Sequence, residues 1–169
     1  YVKFQTFKAE TLVSKKAPKA SYQKKNVKNK SHYNMIKKLE MSYSMHLKII
    51  NYCKKKKIKF LSSPFCIDSF KWLMKFNLDF IKIPSGEITN LPLLKVIGKH
   101  AKDIILSTGM SETFEIKKAL DILGNKKRKI YLLHCNTEYP SPLSDINLNA
   151  IPYLKQKFNF DVGYSDHTL

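Results

Sequence analysis

The sequence predicts an α/β fold whose strands run parallel, and three observations predict it. Short apolar runs alternate with helix-patterned segments from one end to the other. Most of these runs are continuous rather than alternating, as in strands buried on both faces. No tight-turn signal between two adjacent runs announces an antiparallel hairpin.

The strands are expected at residues 1–5, 58–62, 80–84, 104–107, 130–135 and 162–164. Between them the helices have readable boundaries. Ser111 is expected to cap a helix in which Ile116, Ala119, Leu120 and Leu123 recur at i, i+3, i+4 and i+7, with Gly124 at its end. Asn90 precedes a helix that carries Pro92 in its first turn and turns Leu94 and Ile97 inward. Phe70, Leu73 and Met74 form another apolar face, and residues 32–57 are long enough for two helices broken near Ser42. The polar, lysine-rich stretch 13–30 is expected to be a long loop rather than a domain boundary. Such alternation leaves a barrel or an open doubly wound sheet. Neither GxGxxG nor GxxxxGK[ST] follows any strand, which weighs against a nucleotide-binding open sheet.

Composition narrows the function classes. The 169 residues, 43% of them hydrophobic, suit one soluble domain. No apolar run approaches the roughly 18–20 residues that span a bilayer, so no membrane partner is expected. The opening residues lack a basic and apolar leader and start like a strand already under way, so the chain is expected to begin mid-protein. Cys53, Cys66 and Cys135 are odd in number and show no CxxC spacing, which predicts reduced thiols and a cytoplasmic location.

The net charge of +18 invites a polyanion-binding reading. Of the 31 basic residues, however, only Arg128 is arginine, the side chain that reads bases and clamps phosphates geometrically. The lysines fall mostly on expected helix surfaces, among them Lys37, Lys38, Lys117 and Lys118. They read as a solvated surface, and no nucleic-acid partner is expected.

In a barrel, chemistry gathers at the C-terminal ends of the strands. Here those ends read Lys3-Phe4-Gln5-Thr6, Ser62-Ser63-Pro64, Lys82-Ile83-Pro84-Ser85-Gly86-Glu87, Ser107-Thr108-Gly109, His134-Cys135-Asn136-Thr137-Glu138-Tyr139-Pro140 and Ser165-Asp166-His167. Lysines with short hydroxyls suit a phosphate. A carboxylate and a histidine, Glu87 and His167, suit a base and a metal ligand. From the residues alone this predicts an enzyme acting on a phosphorylated or acidic substrate.

The segments KFQTFKAE, APKASYQ, FLSSPF, IKIPSGEITN, IILSTGM, LLHCNTEYP and GYSDHT, in this order, resemble the motifs of the N-acetylneuraminate (sialic acid) synthase family, which includes legionaminic and pseudaminic acid synthases. The resemblance covers essentially the whole chain. It implies a (β/α)₈ TIM barrel, incomplete here and matching strands two to seven. The first and eighth strands and a C-terminal antifreeze-like domain would then lie outside residues 1–169, and this stretch alone would be inactive. It further implies condensation of phosphoenolpyruvate with an N-acylated amino sugar, Mn²⁺ or Mg²⁺ as cofactor, and a homodimer at full length.

Matched motif by motif, the resemblance assigns phosphoenolpyruvate binding to Lys3, Ser63, Lys82, Ser85, Ser107, Thr137 and Ser165, with Thr137 standing where some relatives carry asparagine. Gln5, Glu87 and Tyr139, together with Lys82, match positions at the sugar and the reacting carbons, and His167 matches a metal ligand. The family's second metal histidine lies on a strand that this sequence does not contain. The APKASYQ loop looks closer to the sialic and legionaminic branch than to the pseudaminic one.

Several residues admit plainer roles. His134, inside an apolar strand, is expected to be a hydrogen-bonded core residue, and Cys135 buried filler. Asp166 can cap a helix or support His167, and Tyr139 can pack a loop. His32, His46 and His100 are expected on the surface. Two other functions are compatible with the pattern: a Schiff-base aldolase using Lys82, and a non-enzymatic basic protein that binds polyanions.

Overall fold

The computed structural model describes residues 1–19, 31–124 and 127–169. The chain divides into two compact units, Tyr1–Leu78 and Asp79–Leu169. Part of the expected 13–30 loop, including half of the APKASYQ segment, lies outside the described residues.

In the first unit, β1 (Val2–Thr6) and β2 (Phe60–Pro64) pair in parallel, with Val2 beside Phe60 and Thr6 beside Pro64. Among the described residues the helices α1 (Ala9–Leu12), α2 (His32–Leu39), α3 (Tyr43–Lys55) and α4 (Ile67–Leu73) accompany them. The expected break near Ser42 is present. Ser42 caps α3 by accepting from the Met45 amide at 3.2 Å, and Ser31 caps α2 in the same way.

β2 starts two residues later than expected, and the end of α3 is the reason. Lys57 adopts a left-handed conformation at φ 55°, the Ile58 amide reaches back to Cys53 O at 3.0 Å and the Lys57 amide to Lys54 O at 3.1 Å. This is the paired hydrogen bonding of a Schellman motif, so Ile58 completes the helix rather than opening the strand.

Because side chains alternate along a strand, the register separates two faces. Val2, Phe4, Thr6, Phe60, Ser62 and Pro64 share the face toward α3: Phe4 stacks on Phe60 at 5.4 Å, and Thr6 bonds to His46 of that helix. Lys3, Gln5, Leu61 and Ser63 share the opposite face.

The second unit holds a four-stranded parallel sheet in the order β3 (Phe80–Ile83), β4 (Asp103–Ser107), β5 (Ile130–Cys135), β6 (Asp161–Ser165). Its helices are α5 (Leu91–His100), α6 (Thr113–Leu123) and α7 (Ala150–Phe158). One sheet face is wholly aliphatic where it is deepest: Ile81, Ile83, Ile104, Leu106, Ile130 and Leu132 are buried, as are Leu93, Leu94 and Ile97 of α5 and Ile116, Ala119, Leu120 and Leu123 of α6. At about 25 cal/mol per Å² of apolar surface, this layer is what holds the sheet to its helices. α5 and α6 approach closely at Gly98, where an added Cβ would lie 2.7 Å from the Ile122 carbonyl oxygen.

Asn90 precedes α5 as expected, and its side chain caps the helix. Ser111 does not cap α6: its hydroxyl donates to Gly109 O at 3.1 Å, and the helix opens instead on a Glu112–Glu115 capping box, with Glu115 accepting from the Glu112 amide at 2.8 Å. No helix among the described residues is long and apolar enough to cross a membrane.

Candidate active site

In the first unit, Lys3, Gln5 and Ser63 emerge on one face of the β1–β2 ladder, with Gln5 and Ser63 side by side in register. Lys3 and Gln5 are exposed. Ser63 is 1% exposed, and its hydroxyl has no hydrogen-bond partner among the described residues. A buried hydroxyl left unpaired costs about 1–3 kcal/mol, so such a group at a strand end marks a place where a ligand can complete the bonding.

The other face of this ladder carries a polar chain that the sequence did not reveal. The Ser62 and Thr6 hydroxyls lie 2.8 Å apart, Thr6 Oγ1 lies 2.9 Å from His46 Nε2, and His46 Nδ1 lies 2.9 Å from Ser42 O. Only a donor satisfies a carbonyl, so Nδ1 carries the proton, and in the neutral ring Nε2 accepts from Thr6. His46 is therefore a core residue, 2% exposed, and its expected surface position is corrected. The signal was available: His46, Ile50 and Cys53 recur at i, i+4 and i+7 and make up the buried stripe of α3. His100 is exposed as expected, and His32 half-buried.

In the second unit, the register places Lys82, Ser107 and Ser165 on one sheet face. Lys82 neighbours Ile105, Ser107 follows two residues later beside Leu133, and Cys135 two residues beyond that pairs with Ser165. Lys82 is 8% exposed, and the buried Ser107 hydroxyl, like that of Ser63, has no partner among the described residues.

Ser85 and Glu87 follow β3 in a 3₁₀ turn. Glu87 is half-buried, and burial pushes its carboxyl above the usual carboxylate range, opposed by the Asn90 amide that donates to Oε2 at 2.7 Å. A carboxylate raised in this way is a better proton acceptor than a fully solvated one.

The loops after β5 and β6 meet. The Tyr139 ring stacks on His167 at 4.1 Å, Tyr139 Oη lies 3.0 Å from His167 Nε2, and Ser165 Oγ lies 3.1 Å from the same nitrogen. The Ser141 amide donates to the His167 carbonyl at 2.8 Å, and the Tyr139–Pro140 peptide is cis. Thr137 is exposed in the loop after β5.

Asp166 takes the local role: Oδ1 accepts from the Thr168 amide and hydroxyl, each at 2.9 Å, and these bonds hold its carboxyl below the usual range. His134 lies on the aliphatic face, opposite Lys82, stacked on Tyr164 at 5.8 Å. Burial lowers its pKa, and its Nε2 has no partner among the described residues, so the expected hydrogen-bonded core residue is corrected to a half-buried one without a bond at that nitrogen.

A resident metal needs several such ligands. Among the described residues no group of three His, Cys, Asp or Glu side chains converges, and the one candidate, His167, already has Tyr139 and Ser165 at Nε2. By themselves these residues do not fit a divalent cation.

The whole chain, residues 1–169, matches the NeuB family. It is 51% identical over 99% of its length to the N,N'-diacetyllegionaminic acid synthase of Campylobacter jejuni, covering 52% of that protein. It is 42% identical to the enzyme of the same name from Legionella pneumophila, covering 49% of it. Among solved structures it resembles the N-acetylneuraminic acid (sialic acid) synthetase of Leptospira borgpetersenii, solved with citrate, at a TM-score of 0.80 and 32% identity, over 98% of this chain and 54% of that one. The chain thus spans about half the length of the curated relatives it matches. Its α/β class, with parallel sheets, is that of the sialic acid synthase barrels.

Proposed function

The chain belongs to the NeuB family, and on that premise we propose that the whole protein condenses phosphoenolpyruvate with an open-chain N-acylated amino sugar, giving a nonulosonic acid and free phosphate. The two relatives above make N,N'-diacetyllegionaminic acid the favoured product. The observation that carries the reading is repeated in each unit: a buried serine hydroxyl without a partner among the described residues, Ser63 or Ser107, lies at the C-terminal end of a strand on the face that also bears a lysine, Lys3 or Lys82.

Phosphoenolpyruvate brings a phosphate and a carboxylate. Lys82 and Lys3 supply positive charge, and Ser63, Ser85, Ser107, Ser165 and Thr137 supply neutral donors that fix its orientation. C3 of the enol attacks the sugar aldehyde carbon, forming the C–C bond while the aldehyde oxygen takes up a proton. The electron-poor C2 accepts water, and Glu87, its carboxyl raised by burial, takes the proton that water loses. The tetrahedral carbon then collapses to a ketone and expels phosphate. Gln5 and Tyr139 orient the sugar. A divalent cation, Mn²⁺ or Mg²⁺, is the proposed cofactor, with His167 as one ligand and the rest supplied from outside these residues. The working protein is proposed to be a homodimer.

The test is phosphate release by the full-length protein from phosphoenolpyruvate with N-acetylmannosamine or with the diacetamido aldose of the legionaminic series. Phosphate and nonulosonic acid in equal amounts are expected. Absence of phosphate release, with borohydride trapping of pyruvate on Lys82, would overturn the reading in favour of a Schiff-base aldolase.

A further inference from the structure

Asn90 has two side-chain partners, and together they fix both ends of its amide. One end accepts from the Leu93 amide at 3.2 Å; a backbone N–H can only donate, so this atom is the oxygen. The other end is therefore Nδ2, which donates to Glu87 Oε2 at 2.7 Å. A single residue thus caps α5 and holds a carboxylate.

The anchor is rigid on the helix side, where Leu93, Leu94 and Ile97 are completely buried. The intervening turn is wound tight: the Glu87 amide bonds to Pro84 O at 3.0 Å, Ile88 to Ser85 O at 3.1 Å and Asn90 to Glu87 O at 3.0 Å. The glutamate is consequently bound to its own turn through the backbone and to α5 through Asn90.

We propose that Asn90 is a positioning residue for the condensation, holding the Glu87 carboxylate in the orientation from which it takes the proton of the attacking water. This rests on the assignment of that proton to Glu87. Burial and the Asn90 donor are the two influences acting on the Glu87 carboxyl, and no charged side chain adds to them among the described residues. Removing the donor leaves burial unopposed.

Substitution separates the two tasks of Asn90. Serine and aspartate cap helices about as well as asparagine, so Asn90→Ser and Asn90→Asp both keep an acceptor for the Leu93 amide. Aspartate has no proton to donate and adds a like charge beside Glu87, while the serine hydroxyl sits one bond nearer the backbone than the Asn90 amide nitrogen, which withdraws the donor from Oε2. In the full-length enzyme both variants should keep the wild-type melting temperature within a few degrees. Their kcat/KM should fall about 10- to 100-fold, the range expected for losing a hydrogen bond to a charged group. The acidic limb of their pH–rate profile should move to higher pH, further for Asn90→Asp.

Activity is compared at a temperature where circular dichroism shows each variant folded. If both variants keep wild-type kcat/KM and an unmoved acidic limb, Asn90 is only a cap and the proposal is overturned. Glu87→Gln is run beside them. If it retains full activity, the assignment of the proton to Glu87 fails by itself; if it is inactive while Asn90→Ser is normal, only the role of Asn90 fails.

Discussion

His46→Ala should cost the fold about 3–5 kcal/mol, although a helix histidine in a lysine-rich segment looks like a surface residue. The imidazole is 2% exposed and packs edge-on against Phe60 at 6.4 Å and Trp72 at 6.2 Å. Deleting it opens a cavity between two aromatic rings; aromatic truncations of this kind cost about 3–5 kcal/mol for Phe or Trp, and the smaller His ring about 2. It also removes the acceptor that ends the Ser62–Thr6 hydroxyl chain, leaving one buried O–H unpaired at about 1–3 kcal/mol. The Ser42 carbonyl loses least, because it still accepts from the backbone amide of residue 46 at 3.1 Å. The assay is urea unfolding of the full-length protein followed by far-UV circular dichroism, with the m-value checked for constancy. Thr6→Val should destabilise through the same chain by a smaller amount. A loss below about 0.5 kcal/mol for His46→Ala, the range of ordinary surface substitutions, would refute the burial argument.

Lys82→Ala should abolish turnover with phosphoenolpyruvate, whereas Lys54→Ala, on the exposed surface of α3, should leave steady-state kinetics unchanged; near-normal turnover in Lys82→Ala would remove the lysine from the site. Gly109→Ala should destabilise by about 1–3 kcal/mol, because its Cβ would lie 2.8 Å from Cys135 Sγ and 2.9 Å from the Cys135 carbonyl oxygen, and a backbone atom cannot easily yield. Gly86→Ala, with nothing within 4 Å of the added Cβ, is the control in the same thermal melts. Glu40 is pushed up by burial, but hydrogen bonds from Lys8, the Ala9 amide and Lys37 outweigh this and hold its carboxyl at about 2. Its contribution is therefore present above the unfolded carboxylate value and lost as pH falls from about 4.5 toward 2; acid titrations should show this loss in wild type and not in Glu40→Gln.

How far the sequence could be read depended on whether the deciding contact was local. The order of strands and helices was legible because apolar periodicity is a property of neighbouring residues, and the break near Ser42 and the helix start after Asn90 were legible for the same reason. Ile58 was misplaced because an apolar β-branched residue beside a strand also suits the end of a helix, and the Lys57 left-handed turn that decides between them has no glycine to announce it. Ser111 was misplaced because a serine and a Glu-x-x-Glu pair lie one residue apart, and the hydroxyl found the Gly109 carbonyl instead. The candidate site shows the limit more sharply. All the polar strand ends were visible, but which face each side chain takes is a question of parity that a continuous apolar run hides. In β5, His134 and Cys135 are adjacent in sequence, and the pleat sends them to opposite sides. Cys135 lies with Ser165, on the face of Lys82 and Ser107, while His134 lies with Leu132 and Tyr164 among the aliphatic side chains. In β5 that parity takes His134 to the side opposite Lys82, while the imidazole of His167 meets Tyr139 of the loop after β5 and Ser165 of β6.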